Sequence, residues 1–231
     1  MRIALIHALK HSIAPIELAF QRLWPETGLM NLLEDSLSAD LAREGVLAAR
    51  MTERFLFLGR YAFGAGADGI LFTCSAFGPC IEAVAQDLTP LPVLKPNEAM
   101  IEDVVAAGGT VGLLATFAPT LESMPAEFPP GTRIVPKFAK GALTALDRGD
   151  PAEHDRLAVA AAMELTDCDV IALAQFSLAR AADTIAKATM TPLIMPLSPE
   201  TQKAGPYSTA SNSASDRSSS IRQLDAFRRP C

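Results

Sequence analysis

Short unbroken apolar runs alternate along this chain with longer stretches in which apolar positions recur every three or four residues. The first kind suits strands buried on both faces of a sheet, and the second suits amphipathic helices packed over it. "RIALIHA" (2–8) reads as an opening buried strand. "PIELAFQRLW" (15–24) follows as a helix, with Pro15 in the first turn, where a missing amide costs little. "GLMNLLED" (28–35) predicts a second strand, and "TERFLFLGRYAFGAG" (52–66) a helix stopped by glycines. "DGILFTC" (68–74) is a further strand, "GPCIEAVAQDL" (78–88) the next helix, and "LPVLKP" (91–96) a short strand. Strands alternating with helices predict an α/β fold with parallel sheets.

The pattern then restarts. "TVGLLAT" (110–116) matches "RIALIHA" at an offset of 108 residues, "CDVIALAQF" (168–176) matches "ADGILFTCS" at 101, and "TPLIMP" (191–196) matches "LPVLKP" at 100. Three matches in one order predict two pseudo-symmetric lobes, with a ligand cleft between the C-terminal ends of their strands. The expected division places residues 1–96 and 193–204 in the first lobe and 97–192 in the second. Residues 205–231, opening with the serine-rich "GPYSTASNSASDRSSS", are expected to form a disordered tail. "IRQLDAFRR" (221–229) within it is helical only if it docks.

Candidate chemistry concentrates where strands end. Cys74 closes the third predicted strand just before a helix, where amide groups and the helix dipole favour an anionic ligand and a thiolate; the alternative is a small buried hydrophobe. The dipole is expected to move the thiol modestly below its ordinary pKa of about 8.5. Ser75 and Ala76 follow it toward the cleft. The repeat places Gln175 opposite Cys74, and a glutamine can hydrogen-bond a carboxylate but cannot titrate. Phe176 and Ser177 adjoin it. Thr116 and Thr120, after the second lobe's first strand, suit a carboxylate or a helix cap. His7 and His11 follow the first strand, where either has a pKa suited to acid/base work or to structural bonding. His154 reads as a solvated helix position. "GAGADG" (64–69) precedes a strand instead of following one, which excludes a dinucleotide fingerprint and leaves a helix end and turn. Cys80 reads as core, and neither Cys168 nor Cys231 has a functional case.

Composition narrows the partners. The 231 residues are 49% apolar with a net charge of −6, and an acidic surface argues against nucleic acid or an anionic membrane. No run approaches the roughly 18 apolar residues of a membrane span, and the N-terminus lacks a signal-peptide pattern. Four irregularly spaced cysteines point to free thiols in the cytoplasm and match no zinc spacing.

Taken together, "FTCSAFG", "GLLAT", "CDVIALAQFS" and the paired "PVLKP" and "PLIMP" strands resemble the aspartate/glutamate/hydantoin racemase superfamily, as does "NLLEDSLSADLAREG" (31–45). The similarity spans residues 2–200. It implies two flavodoxin-like lobes and cofactor-independent racemisation of an amino acid or related carboxylate, without pyridoxal phosphate or metal, and a homodimer is common among such proteins. It implies Cys74 as one acid/base, Ser75 and Thr116 as carboxylate contacts, and a second cysteine where this chain has Gln175. The other face of the α-carbon would then be served by His7 or by a water on Gln175. The superfamily also implies an alternative, a decarboxylase of malonate-type substrates that uses a single cysteine. A non-catalytic carboxylate-binding protein is the third reading.

Overall fold

The structure, a computed structural model, describes residues 1–196 and 225–227. The first lobe opens with β1 (Arg2–His7), a turn of 3-10 helix at Lys10–Ser12, and α1 (Ile13–Leu23). It continues through β2 (Gly28–Leu33), α2 (Ser36–Glu44), α3 (Ala49–Gly64) and β3 (Gly69–Phe72). A 3-10 turn at Ser75–Phe77 leads into α4 (Gly78–Asp87) and β4 (Val93–Leu94). The second lobe runs through α5 (Glu98–Ala107), β5 (Thr110–Ala115), α6 (Ala118–Ser123) and β6 (Arg133–Phe138). It closes with α7 (Ala142–Asp147), α8 (Pro151–Ala162), β7 (Val170–Leu173), a 3-10 turn at Phe176–Ala181, α9 (Ala182–Thr189) and β8 (Leu193–Ile194).

Among the described residues the strands form two parallel four-stranded sheets, ordered β2-β1-β3-β4 and β6-β5-β7-β8. The two registers superimpose on the sequence repeat. Ile3 pairs with Gly69 where Val111 pairs with Val170, and Ile70 pairs with Val93 where Ile171 pairs with Leu193. These pairs preserve the offsets of 108, 101 and 100 read from the sequence. The central strands β3 and β7 are buried at every position, as strands covered on both faces must be.

Three readings change against this architecture, and one strand is not read at all. Leu193–Ile194 hydrogen-bonds to β7 in the second sheet, so the expected return to the first lobe at residue 193 does not occur there. Residues 197–204 of that boundary lie outside the described residues. β6 escapes the periodicity reading because it is an edge strand with a mostly exposed pattern, interrupted by Pro136, and proline is tolerated only where no neighbour needs its amide. Within the expected tail, Asp225–Phe227 is helical and Phe227 is buried, packed against the first lobe's Ile3, Phe20 and Leu71. Its ring fills the space over Gly69, where a Cβ would stand 2.4 Å from Phe227 Cδ1. The rest of the expected tail lies outside the described residues. His154, expected to be solvated, is fully buried on α8, and burial pushes its pKa down.

The lobes interlock through side chains that follow strand ends. Phe117, after β5, packs into the first lobe's core beside Phe72 and Phe77. Phe176, after β7, packs with Ile16 and Phe20 of α1. His11 Nε2 meets Asp147 Oδ1 across the gap at 2.8 Å, and Ser75 Oγ lies 3.3 Å from Thr120 Oγ1. The C-terminal ends of both sheets therefore face each other.

Candidate active site

Because β3 and β7 end at matching heights, the residues after them meet. Leu9, Ser12, Thr73, Cys74, Ser75, Gln175, Phe176 and Ser177 line one cavity between the lobes. Its volume is about 10 Å³, at the lower limit for a single water. A wider cavity of about 420 Å³ lies alongside; Leu9 lines both, and the wider one is walled by Lys10, His11, Ser38, Phe117 and Asp147.

Cys74 is extended at φ −120° and ψ 122°, and the chain then tightens into the 3-10 turn that carries Ser75 and Ala76. Its thiol is buried, with the Ala76 amide and the Ser38 hydroxyl as its polar neighbours. Burial dominates both neighbours and pushes the thiol up to about 11. The expected downward shift is therefore reversed. A 3-10 turn intervenes between Cys74 and α4, so the thiol does not cap the longer helix, and exclusion of water penalises the thiolate. In the ligand-free protein Cys74 carries its proton at neutral pH.

Gln175 faces the same cavity from the second lobe. Its Oε1 accepts from Thr116 N at 2.6 Å and from Thr116 Oγ1 at 3.0 Å. This fixes which end of the amide is the donor, and Gln175 Nε2 is left buried without a partner. Ser177 Oγ is buried and unpartnered as well. Two orphaned polar groups beside one cavity are uncommon, because each costs about 1–3 kcal/mol unless a ligand satisfies it.

The other expected residues divide clearly. Ser75, Phe176 and Ser177 line the cavity with Cys74 and Gln175, and Ala76 contributes its backbone amide beside the thiol. Thr116 does not line it; both its amide and its hydroxyl are occupied in holding Gln175. Thr120 is buried and faces Ser75. His7 does not line it either: it lies behind Thr73 and Ser12, hydrogen-bonded to Thr73 Oγ1 at 2.8 Å and Asn31 Oδ1 at 2.9 Å. Thr73, Ser12 and Ser38 are cavity-wall residues that the sequence reading passed over. For Thr73 a signal was present, since it is the first polar residue after the buried run of β3. Cys80 is core, as expected, its sulfur 3.5 Å from Thr52 Oγ1. Cys168 is half-buried and does not line the cavity. Among the described residues no group of three or more His, Cys, Asp or Glu side chains is arranged to hold a metal ion, and no helix is long and apolar enough to cross a membrane.

No protein-family model matches the sequence, and no curated protein matches it. Solved structures do match its fold. The glutamate racemase from Francisella tularensis, in complex with D-glutamate, superimposes with a TM-score of 0.66 at 15% identity, over 85% of this chain and 76% of that one. The aspartate racemase of Picrophilus torridus gives 0.64 at 11% identity, over 84% and 88% of the two chains. The allantoin racemase from Klebsiella pneumoniae gives 0.57 at 15% identity, over 95% and 98%. This chain thus has the two-lobed α/β fold of the glutamate, aspartate and allantoin racemases.

Proposed function

We propose that the protein is an isomerase of the aspartate/glutamate/hydantoin racemase superfamily, acting without a cofactor at the α-carbon of a small carboxylate or amino acid. The observation that carries this reading is the shared cavity, lined by Cys74 of one lobe and by Gln175 and Ser177 of the other, whose Nε2 and Oγ are buried without a partner. An amide N–H and a hydroxyl are the donors a carboxylate accepts, and placing them in a dry cleft stabilises negative charge as it develops on the substrate. Cys74, protonated at rest, gives its proton to the α-carbanion. General acid/base transfer of this kind contributes ~10²–10⁴-fold in rate. The cavity is smaller than any amino acid, so this reading requires it to widen when a substrate binds.

A second reading rests on Gln175 itself. A thiol on one side and a non-titrating amide on the other fit a single, one-handed protonation, as in decarboxylation of a substituted malonate.

One experiment separates the readings. The full-length protein is incubated in D₂O with each enantiomer of glutamate and aspartate, with allantoin and with substituted malonates. α-Deuterium is followed by NMR and optical purity by chiral chromatography. Deuterium uptake with loss of optical purity is the expected result. Carbon dioxide release with one enantiomer of product replaces it with the decarboxylase reading. If neither reaction occurs while a carboxylate raises the melting temperature, the protein binds without catalysing.

A further inference from the structure

A buried histidine stands one hydroxyl behind the Cys74 cavity. His7 ends β1 with no exposed surface. Asn31 Nδ2 donates to Glu17 Oε1 at 2.7 Å, which turns the Asn31 oxygen toward the imidazole, 2.9 Å from His7 Nε2. An acceptor there requires the hydrogen on Nε2. Nδ1 of the neutral ring therefore keeps its lone pair, and it faces Thr73 Oγ1 at 2.8 Å and Ser12 Oγ at 3.3 Å. Both residues line the cavity that Cys74 also lines.

Counting hydrogens shows what this cluster is short of. Ser12 Oγ donates to Leu9 O at 2.7 Å, and it stands 3.0 Å from Thr73 Oγ1. With the ring neutral, Thr73 has one hydrogen for two close acceptors, His7 Nδ1 and Ser12 Oγ, and for a more distant one, Ile6 O at 3.4 Å. With Nδ1 protonated, His7 donates to Thr73, Thr73 to Ser12, and Ser12 to Leu9 O, so each of these contacts has its hydrogen. The second lobe has nothing comparable. At the matching registers of β5, β6 and β7 stand Ala115, Pro136 and Ala174, where the first lobe has His7, Asn31 and Thr73.

We propose that His7 is the proton acceptor of this site, drawing a proton out of the cavity through the hydroxyls of Thr73 and Ser12 while Cys74 delivers one into it. The proposal rests on the acid/base reading of Cys74 given above. His7 touches no reacting atom, so it is a positioning residue for the proton. In the step, a cavity-wall oxygen takes the proton leaving the substrate carbon as that hydroxyl's own proton moves to Nδ1. The C–H electron pair stays on the substrate as a carbanion. Cys74 Sγ–H then breaks, its proton forms the new C–H bond, and a thiolate remains. The cycle closes when His7 gives up its proton and the Cys74 thiolate regains one, which restores the resting pair. Burial suits both roles, since it lowers the pKa of His7 and raises that of Cys74, leaving a neutral base and a protonated acid at rest. The charged group facing His7 is Glu17 on α1, reached through Asn31; β3 and the 3-10 turn present Thr73 and Ser12, both neutral.

The test begins without substrate. In the full-length protein, ¹⁵N-resolved NMR of His7 is expected to show the Nε2–H tautomer at neutral pH and reversible protonation of Nδ1, with a midpoint below the ordinary histidine value of about 6.5. An Nδ1–H tautomer at neutral pH, or a ring that never protonates before unfolding, overturns the proposal whatever the protein catalyses. Next, α-deuterium exchange is followed against pD with the substrate panel above. The acidic limb of the profile should vanish and the plateau fall at least tenfold in His7→Asn and Thr73→Val, while Thr73→Ser, which keeps the hydroxyl, retains the limb. Wild-type profiles in His7→Asn and Thr73→Val would also overturn it. Should none of the panel exchange in the wild type, the functional reading fails, and the tautomer and titration still decide the assignment of His7.

Discussion

The two lobes share strand order, register and the turn after the third strand, yet they put opposite chemistry at matching positions. The first lobe ends its central strands in His7 and Thr73, which share a hydrogen bond, and in the Cys74 thiol. The second ends in Ala115, Ala174 and Gln175, none of which titrates. Its polar atoms are either fixed, as Gln175 Oε1 is by Thr116, or left waiting, as Gln175 Nε2 and Ser177 Oγ are. On the function proposed above, this is a division of labour: one lobe moves protons and the other holds charge. Duplication supplied two equivalent strand ends, and a few substitutions there made them unequal without disturbing either sheet.

The sharpest way to break this comparison is Cys74→Ser. Serine keeps a hydrogen-bonding group of similar size and removes the only titrating group that lines the small cavity among the described residues. Turnover of whichever panel substrate reacts should fall ~10²–10⁴-fold, with the circular dichroism spectrum unchanged. Turnover within a few-fold of wild type would remove Cys74 from the chemistry and with it the asymmetry between lobes.

A structural asymmetry carries the next largest effect. Gly69 of β3 leaves a socket that Phe227 fills, whereas the matching position in β7 is Val170, which fills its own space. Phe227→Ala should cost ~3 kcal/mol, the low end of the range for a buried phenylalanine. Urea denaturation reads this directly. A loss under 0.5 kcal/mol (a bound set by the scatter of surface substitutions) would mean that the first lobe does not depend on the docked segment.

Cys74 also predicts how stability responds to alkali. Its folded pKa is raised from 9.0 to about 11, so between those values the unfolded chain releases a proton that the fold retains. Stability contributed by the protonated thiol is thus fully present below pH 9 and is lost as pH rises toward 11. Two pKa units correspond to about 2–3 kcal/mol. Wild type should therefore lose that much more stability than Cys74→Ser over this interval. Parallel curves for the two proteins would show a thiol that is not shielded from water.

Much of this was legible before any coordinates. Unbroken apolar runs fixed β1, β3, β5 and β7, since strands covered on both faces admit no alternation, and the offsets between runs carried the duplication and the pairing of Cys74 with Gln175. Edge strands read less well: β6 is mostly exposed and contains Pro136, so its pattern matches no template. Side-chain roles read least well. Thr116 reads as a carboxylate contact or a helix cap because sequence cannot show that Gln175 reaches back to it, 59 residues along the chain. His154 looked solvated because only tertiary packing buries that face of α8. The direction of the Cys74 shift was misread for a related reason, since helix position is visible in sequence and exclusion of water is not.

The smallest expected effect discriminates most finely between a built ligand site and imperfect packing. Ser177 Oγ is buried and has no partner, whereas its first-lobe counterpart, Ala76, has no hydroxyl to satisfy. If the hydroxyl is held for a ligand, Ser177→Ala removes an unsatisfied group from the free protein and should raise its stability slightly, by about 1 kcal/mol or less. The same change removes a donor from the ligand, so the thermal shift produced by a binding carboxylate should shrink even as the ligand-free melting temperature rises. The opposed signs matter, because a serine that merely fills space would leave the ligand-induced shift intact. A variant less stable alone and equally responsive to ligand would show that the second lobe is not holding charge at this position.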